Sequence, residues 1–142
     1  MDIWFDYNIP KDSIVIEVSE DKVKGGLSDV LDKIVELKNN GFHIAIDNYG
    51  AKYADLFLFS EVKFDTLKLD RELVHKLETD EKTCMISKSV IDICKNYNIS
   101  VVAEGVENEK EYDILKEMGC DEAQGYLFDK PMSWNRFEEK YL

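Results

Sequence analysis

Residues 99–105 read Ile99-Ser100-Val101-Val102-Ala103-Glu104-Gly105, a β-branched apolar run that ends on a carboxylate and then on glycine. Side chains alternate across a strand, so Val102 and Glu104 share one side while Val101 and Ala103 share the other. An otherwise apolar strand therefore presents a charge at its C-terminal end. His43-Ile44-Ala45-Ile46-Asp47 repeats this design, with Ala45 and Asp47 on one side and Ile44 and Ile46 on the other. Thr66-Leu67-Lys68-Leu69-Asp70 repeats it again with Lys68. Two further runs, Ser13 to Val18 and Glu122 to Phe128, carry Glu17 and Gln124.

Helical periodicity fills the gaps between these runs. Leu27, Val30, Leu31, Ile34 and Leu37 form one stripe that stops at Asn39-Asn40-Gly41, after a loop from Asp21 to Ser28 that carries Gly25-Gly26. A short apolar helix is predicted near Ala54 to Phe59, and a longer one is marked by Met85, Ile86, Val90, Ile93, Cys94 and Tyr97. Glu109 to Met118 reads as a helix closed by Gly119, and Ser133 is placed to cap a last helix holding Trp134, Phe137 and Tyr141. Five strands separated by helices imply a parallel α/β sheet. Two architectures fit: an open doubly wound sheet, or part of a (β/α)8 barrel.

The chain has 142 residues, 44% of them hydrophobic, enough for a core, and this excludes global disorder. Its 18 basic and 30 acidic residues give a net charge of −12. Such a surface repels phosphate backbones unless cations intervene, which argues against a DNA or RNA partner. The three cysteines show no CxxC spacing, and the start, MDIWFDYNIP, has neither a basic n-region nor an apolar h-region. The expectation is a soluble cytoplasmic protein with no membrane partner, in which Cys94 and Cys120 are core thiols rather than nucleophiles.

Parallel strands put their C-terminal ends on one face, so Glu17, Asp47, Lys68, Glu104 and Gln124 are placed to converge. Three carboxylates and an amine suit a hard divalent cation, Mg²⁺, Mn²⁺ or Ca²⁺, rather than zinc. Such a cluster supports attack of metal-activated water on a phosphodiester, with the lysine holding or deprotonating the water. Taken singly, each acid reads more readily as a structural helix-start residue; it is their recurrence from strand to strand that points to a site. His43 reads as a strand-start residue, His75 as an exposed helix residue, and Asp80-Glu81 and Glu138-Glu139 as solvated surface.

At these residues the sequence resembles the EAL-domain cyclic di-GMP phosphodiesterases. Val15-Ile16-Glu17-Val18-Ser19-Glu20 is similar to the family's strand ending in E-x-T/S-E. GFHIAIDNYG (41–50) is similar to G-x-x-I-A-I/L-D-D-F-G, and FDTLKLDR (64–71) to the D-x-L-K-I-D-R segment. VVAEGVE (101–107) reproduces A-E-G-V-E, and GCDEAQGYLFDKP (119–131) matches G-C-D-x-x-Q-G-Y-x-F-x-K-P. The resemblance implies a metal-dependent site on a (β/α)8-type barrel that hydrolyses cyclic di-GMP to linear pGpG. It implies metal ligation by Glu17 and Asp47, with Asn48 at a further ligand position, and a water-holding role for Lys68. Glu104 and Glu107 would serve the second metal and its waters. Gln124, Tyr126 and Pro131 would form the wall around the nucleotide.

Two departures shape the expectation. A barrel of this class takes roughly 250 residues, and the resemblance spans its C-terminal half. The segment with the E-A-L glutamate falls outside this sequence, as does the asparagine ligand of the next inner strand. The loop that in the family reads D-D-F-G-T-G-Y-S-S is here Asp47-Asn48-Tyr49-Gly50-Ala51-Lys52-Tyr53-Ala54-Asp55. Asn48 replaces a ligating aspartate, and Lys52 brings a positive charge near the metal position. The expectation is an N-terminal segment over residues 1–12 and a truncated, degenerate domain over 13–142, built as a partial barrel of about five strands and completed by homodimerisation. The aromatic stretch Ile3 to Ile9 would add a strand or plug to the open end. The expected function is a catalytically silent interaction or regulatory module in second-messenger signalling, with another protein as partner. The alternatives are a non-hydrolysing cyclic di-GMP and Mg²⁺ or Mn²⁺ receptor, and an active phosphodiesterase if the missing half is supplied.

Overall fold

The computed structural model describes residues 9–20, 28–51, 56 and 58–142. The expectations placed on Ile3 to Asn8, Gly25-Gly26, Leu27 and Lys52 to Asp55 lie outside the described residues. A single turn of 3₁₀ helix over Lys11–Ser13 leads into β1 (Val15–Ser19), α1 (Ser28–Asn39), β2 (His43–Tyr49) and α2 (Leu58–Glu61). β3 (Thr66–Leu69), α3 (Arg71–Val74), α4 (Glu81–Asn96) and β4 (Ser100–Glu104) follow. α5 (Glu109–Met118), β5 (Glu122–Gln124) and α6 (Trp134–Tyr141) complete the order.

The five strands form one sheet in sequence order, β1-β2-β3-β4-β5, and every neighbouring pair is parallel. β1 and β5 are its edges, so the sheet is not closed on itself. Register places Glu17 beside Ala45, Lys68 beside Val102, and Glu104 beside Gln124. The β2–β3 pairing shifts between Ile46 and Tyr49, an irregularity at the strand end that carries Asp47.

The alternation expected from the sequence is realised in β3 and β4, whereas in β2 Ala45 is buried together with Ile44 and Ile46. Ile44, Ile46, Leu67, Leu69, Val101 and Ala103 are fully buried, in one cluster with Ile34, Val90, Ile91, Cys94 and Leu115 from the covering helices. The opposite side carries Asp47, Lys68, Val102 and Glu104, all partly exposed. α1 ends at Asn39 with Gly41 at φ +88°, and α5 ends on Gly119, as the glycine signals predict.

Four local expectations are revised. The buried face of α4 is Ser87, Val90, Ile91 and Cys94, whereas Met85 and Ile86 are exposed. Residues advance about 100° each along a helix, which turns Met85 nearly opposite to Ser87. The run Glu122 to Phe128 is strand only as far as Gln124, because the chain then turns: Phe128 N–H donates to Gly125 O at 3.2 Å and Leu127 N–H to Val106 O at 3.0 Å. The helix expected near Ala54 to Phe59 is seen over Leu58–Glu61. Ser133 occupies the N-cap position of α6, but its side chain makes no capping hydrogen bond there.

Candidate functional site

Four strands deliver charged side chains to one point. Lys68, from the middle of β3, places its Nζ 2.7 Å from Glu17 Oε1, 2.9 Å from Glu104 Oε1 and 3.4 Å from Asp47 Oδ1. Adjacent parallel strands lie about 4.8 Å apart, and a lysine stem is long enough to reach over its neighbours. The Lys68 side chain is only 13% exposed. Burial by itself lowers an ammonium pKa. Here it is outweighed by hydrogen bonds to Glu17 and Glu104 and by the charges of Glu104 and Asp47, which raise Lys68 above its ordinary value.

Asn48 follows Asp47 in the left-handed region, at φ +59°, a conformation asparagine tolerates better than most residues. Its Nδ2 donates to Asp47 Oδ2 at 2.6 Å. The turn beyond is held by the buried Glu20, whose Oε2 accepts the Gly50 N–H at 3.2 Å.

Glu107 lies elsewhere, with its Oε1 4.0 Å from His75 Nε2. Behind it, the 3%-exposed Glu111 accepts from Glu107 N–H at 2.8 Å and pairs with His75 Nδ1 at 2.9 Å. Burial acts to raise the Glu111 carboxyl, but the Glu107 and Asn108 amides and His75 hold it below its ordinary range. His75 is exposed as expected, yet it is paired and lies just after α3 rather than within it. Sequence reading quoted Glu20 only as part of a motif, without a role, and missed Glu111. The Asn108-x-x-Glu111 spacing is a capping-box signal that points to Glu111, and Asn108 Oδ1 does accept from Lys110 and Glu111 N–H.

Gln124, beside Glu104 in strand register, lines an open groove of about 750 Å³ with Tyr126 and Pro131, shared with Phe128, Trp134 and Phe137. Lys130 Nζ stands 5.4 Å from the centre of the Tyr126 ring. Cys94 is buried and Cys120 half-buried; burial pushes their thiols up to about 12 and about 11, as inert core thiols require.

A model of the EAL domain family matches residues 2–131 of the chain. The chain belongs to the EAL domain family. The cyclic di-GMP phosphodiesterase RocR of Pseudomonas aeruginosa is 35% identical over 132 residues, which are 93% of this EAL chain and 34% of that protein. The crystal structure of the EAL domain of Mycobacterium smegmatis DcpA superposes with a TM-score of 0.85 at 31% identity, covering 96% of this chain and 61% of that one. A manganese/cyclic di-GMP complex of Klebsiella pneumoniae BlrP1 gives 0.85 at 33% identity, covering 89% of this chain and 32% of that one. The chain thus spans about a third of the length of RocR. Its five strands are a part of the TIM-type barrel, with the sheet left open.

Glu17, Asp47 and Glu104 offer only oxygen donors. Set against one ammonium, they leave a formal charge of −2, which a single divalent cation balances. Donor chemistry and charge therefore fit Mg²⁺ or Mn²⁺. Position is another matter: the three acids stand around the Lys68 ammonium, and among the described residues no three His, Cys, Asp or Glu side chains are grouped to hold a metal ion. Among the same residues no helix is long and apolar enough to cross a membrane.

Proposed function

We propose that this EAL domain acts in cyclic di-GMP signalling as a regulatory interaction module and does not by itself hydrolyse the dinucleotide. The observation that supports this reading is the Asp47–Asn48 pair. Where the family motif has two adjacent aspartates, the second position here is an amide, and it donates to the first carboxylate at 2.6 Å. An amide brings no charge to offset a second divalent ion, and it occupies an acceptor atom of the one acid beside it. Loss of one well-placed electrostatic group costs about 10²–10³ in rate, and a two-metal displacement depends on both ions.

A second reading is a receptor that binds a cation and cyclic di-GMP without turnover. The net −2 of the Lys68 cluster and the aromatic groove beside Gln124, Tyr126 and Pro131 favour it. Three unpaired thiols agree with a reducing cytoplasm. β1 and β5, the edge strands of the sheet among the described residues, favour a homodimer, which light scattering would measure directly.

One titration tests these readings. The chain is mixed with cyclic di-GMP and Mg²⁺ or Mn²⁺, with heat followed by calorimetry and pGpG by chromatography. The expected result is no pGpG. Micromolar binding without product selects the receptor, silence in both leaves the interaction module, and turnover overturns both.

A further inference from the structure

α6 carries a row of aromatic rings, and none of its residues is buried. Trp134, Phe137 and Tyr141, at i, i+3 and i+7, share one side of the helix, with successive ring centres 6.0 Å and 5.0 Å apart. They line the groove of about 750 Å³ together with Tyr126, and β5 forms another part of its wall through Ala123 and Gln124. β5 is an edge of the sheet among the described residues. An aromatic row beside an open strand edge suits an extended apolar segment. We propose that this groove receives residues 3–7 of a second copy, exchanged reciprocally, so that Ile3-Trp4-Phe5-Asp6-Tyr7 of each protomer docks between β5 and α6 of the other. The inference rests on the homodimer reading and names the surfaces that make the dimer.

Three observations select this occupant. The first is patterning: in an extended chain Ile3, Phe5 and Tyr7 fall on one side and Trp4 and Asp6 on the other, which gives the segment an apolar side to set against the row. The second is charge. The chain carries −12 in all, yet the charged residues lining the groove and the hollow that adjoins it are Lys130, Arg136 and Asp129, and Asp129 is paired with Lys140. This positive mouth matches a segment that brings Asp2 and Asp6. The third is reach. With Ile3 to Tyr7 laid in the groove, only Asn8 joins Tyr7 to Ile9, and two residue steps span about 7 Å. Ile9 leads into β1, the opposite edge of the sheet, four strand spacings or about 19 Å from β5. The segment's own groove is therefore too far away, whereas a second copy has no such limit, and reciprocal exchange gives a closed two-fold pair.

The two tryptophans make the exchange measurable, since Trp4 belongs to the segment and Trp134 to the groove, where it is 66% exposed in the single chain. Trp4→Phe keeps the segment aromatic and leaves Trp134 as the sole emitter. Its quenching by acrylamide is followed over a dilution series, with the mass read by light scattering at each concentration. Trp134 is expected to become several-fold less quenchable as the dimer forms. Adding Phe5→Ser and Tyr7→Ser, outside the core, is expected to give a monomer with Trp134 open at every concentration. A dimer in which Trp134 stays as open as in the monomer, or one whose mass survives the two serine substitutions, overturns the exchange and leaves a homodimer built on another face. Trp134 already shielded in the dilute monomer also overturns it, because the groove is then filled from within one chain. A chain that is monomeric throughout, with Trp134 open, overturns both the exchange and the homodimer reading beneath it.

Discussion

Lys68 Nζ lies 2.7 Å from Glu17 Oε1, although the two residues are 51 positions apart in the chain. The contact spans from β3 across β2 to the edge strand β1, and with Asp47 and Glu104 the charge cluster ties four strands together.

Removing that tie should cost stability. Lys68→Met leaves Glu17, Asp47 and Glu104 facing one another without a counter-ion. For a partly buried cluster the loss is about 1–2 kcal/mol, a fall in Tm of about 5 °C for a chain of this length. The pH dependence has a definite sign. The folded-state pKa of Lys68 is raised above its ordinary 10.5, so its contribution is fully present below that value and fades only as pH rises past it. Thermal melts of both proteins should show a constant gap from about pH 7 to about pH 10, closing at higher pH. A gap that closes near neutrality would refute this.

Glu111 behaves in the opposite sense. Its carboxylate holds the Glu107 amide and His75 while almost wholly buried, and its folded-state pKa is depressed below the ordinary 4.5. A depressed carboxyl stabilises above its unfolded value and loses that contribution as pH falls through the folded one. Glu111→Leu strands both partners and should cost about 2 kcal/mol near neutral pH. The difference from wild type, read by urea unfolding, should shrink below about pH 4.5.

The strand-end charges were legible because two simple rules act together. Period two puts Asp47, Lys68 and Glu104 on the side opposite their buried neighbours, and parallel pairing brings those ends to one face. The family motifs added the roles expected of Glu17, Gln124 and Tyr126. The His75–Glu111 pair lay out of reach, since it joins a residue just after α3 to one 36 positions later in α5, and no local pattern encodes that meeting. The exposure of Met85 and Ile86 was hidden for a related reason: the α4 sequence carries apolar residues on more than one side, and only the position of the sheet decides which side is covered. The short β5 likewise reflects a tertiary event, the close passage of Gly125 past Val106.

That passage makes Gly125 intolerant of any side chain. A Cβ there would stand 2.1 Å from Val106 O and 2.3 Å from Val106 N, backbone atoms that cannot step aside without breaking the Val106–Gln124 and Leu127–Val106 hydrogen bonds. Gly125→Ala should cost about 3 kcal/mol or more. Gly41→Ala is the matched control. Gly41 also needs its freedom, at φ +88°, but a Cβ there meets nothing within 4 Å, so only the backbone strain is felt, about 1 kcal/mol. Equal losses in the two variants, measured by chemical unfolding, would show that the Gly125 contact is not rigid.

The three thiols should differ sharply in reactivity. Burial raises Cys94 to about 12 and Cys120 to about 11, so almost no thiolate is present at either near neutral pH. Cys94 has no exposed surface, and the Cys120 Sγ lies 3.3 Å from the carbonyls of Val101 and Glu122. Cys84 is half-buried on α4, where it lines an open groove with Met85 and Ile114. An aromatic disulfide reagent at about pH 8 should therefore modify one thiol per folded chain quickly, with peptide mapping placing the adduct on Cys84. The other two should react only at the rate of unfolding, and all three should react at once in denaturant. Rapid modification of Cys94 or Cys120 in the folded chain would mean that the α4 and α5 helices part from the sheet far more readily than their packing implies.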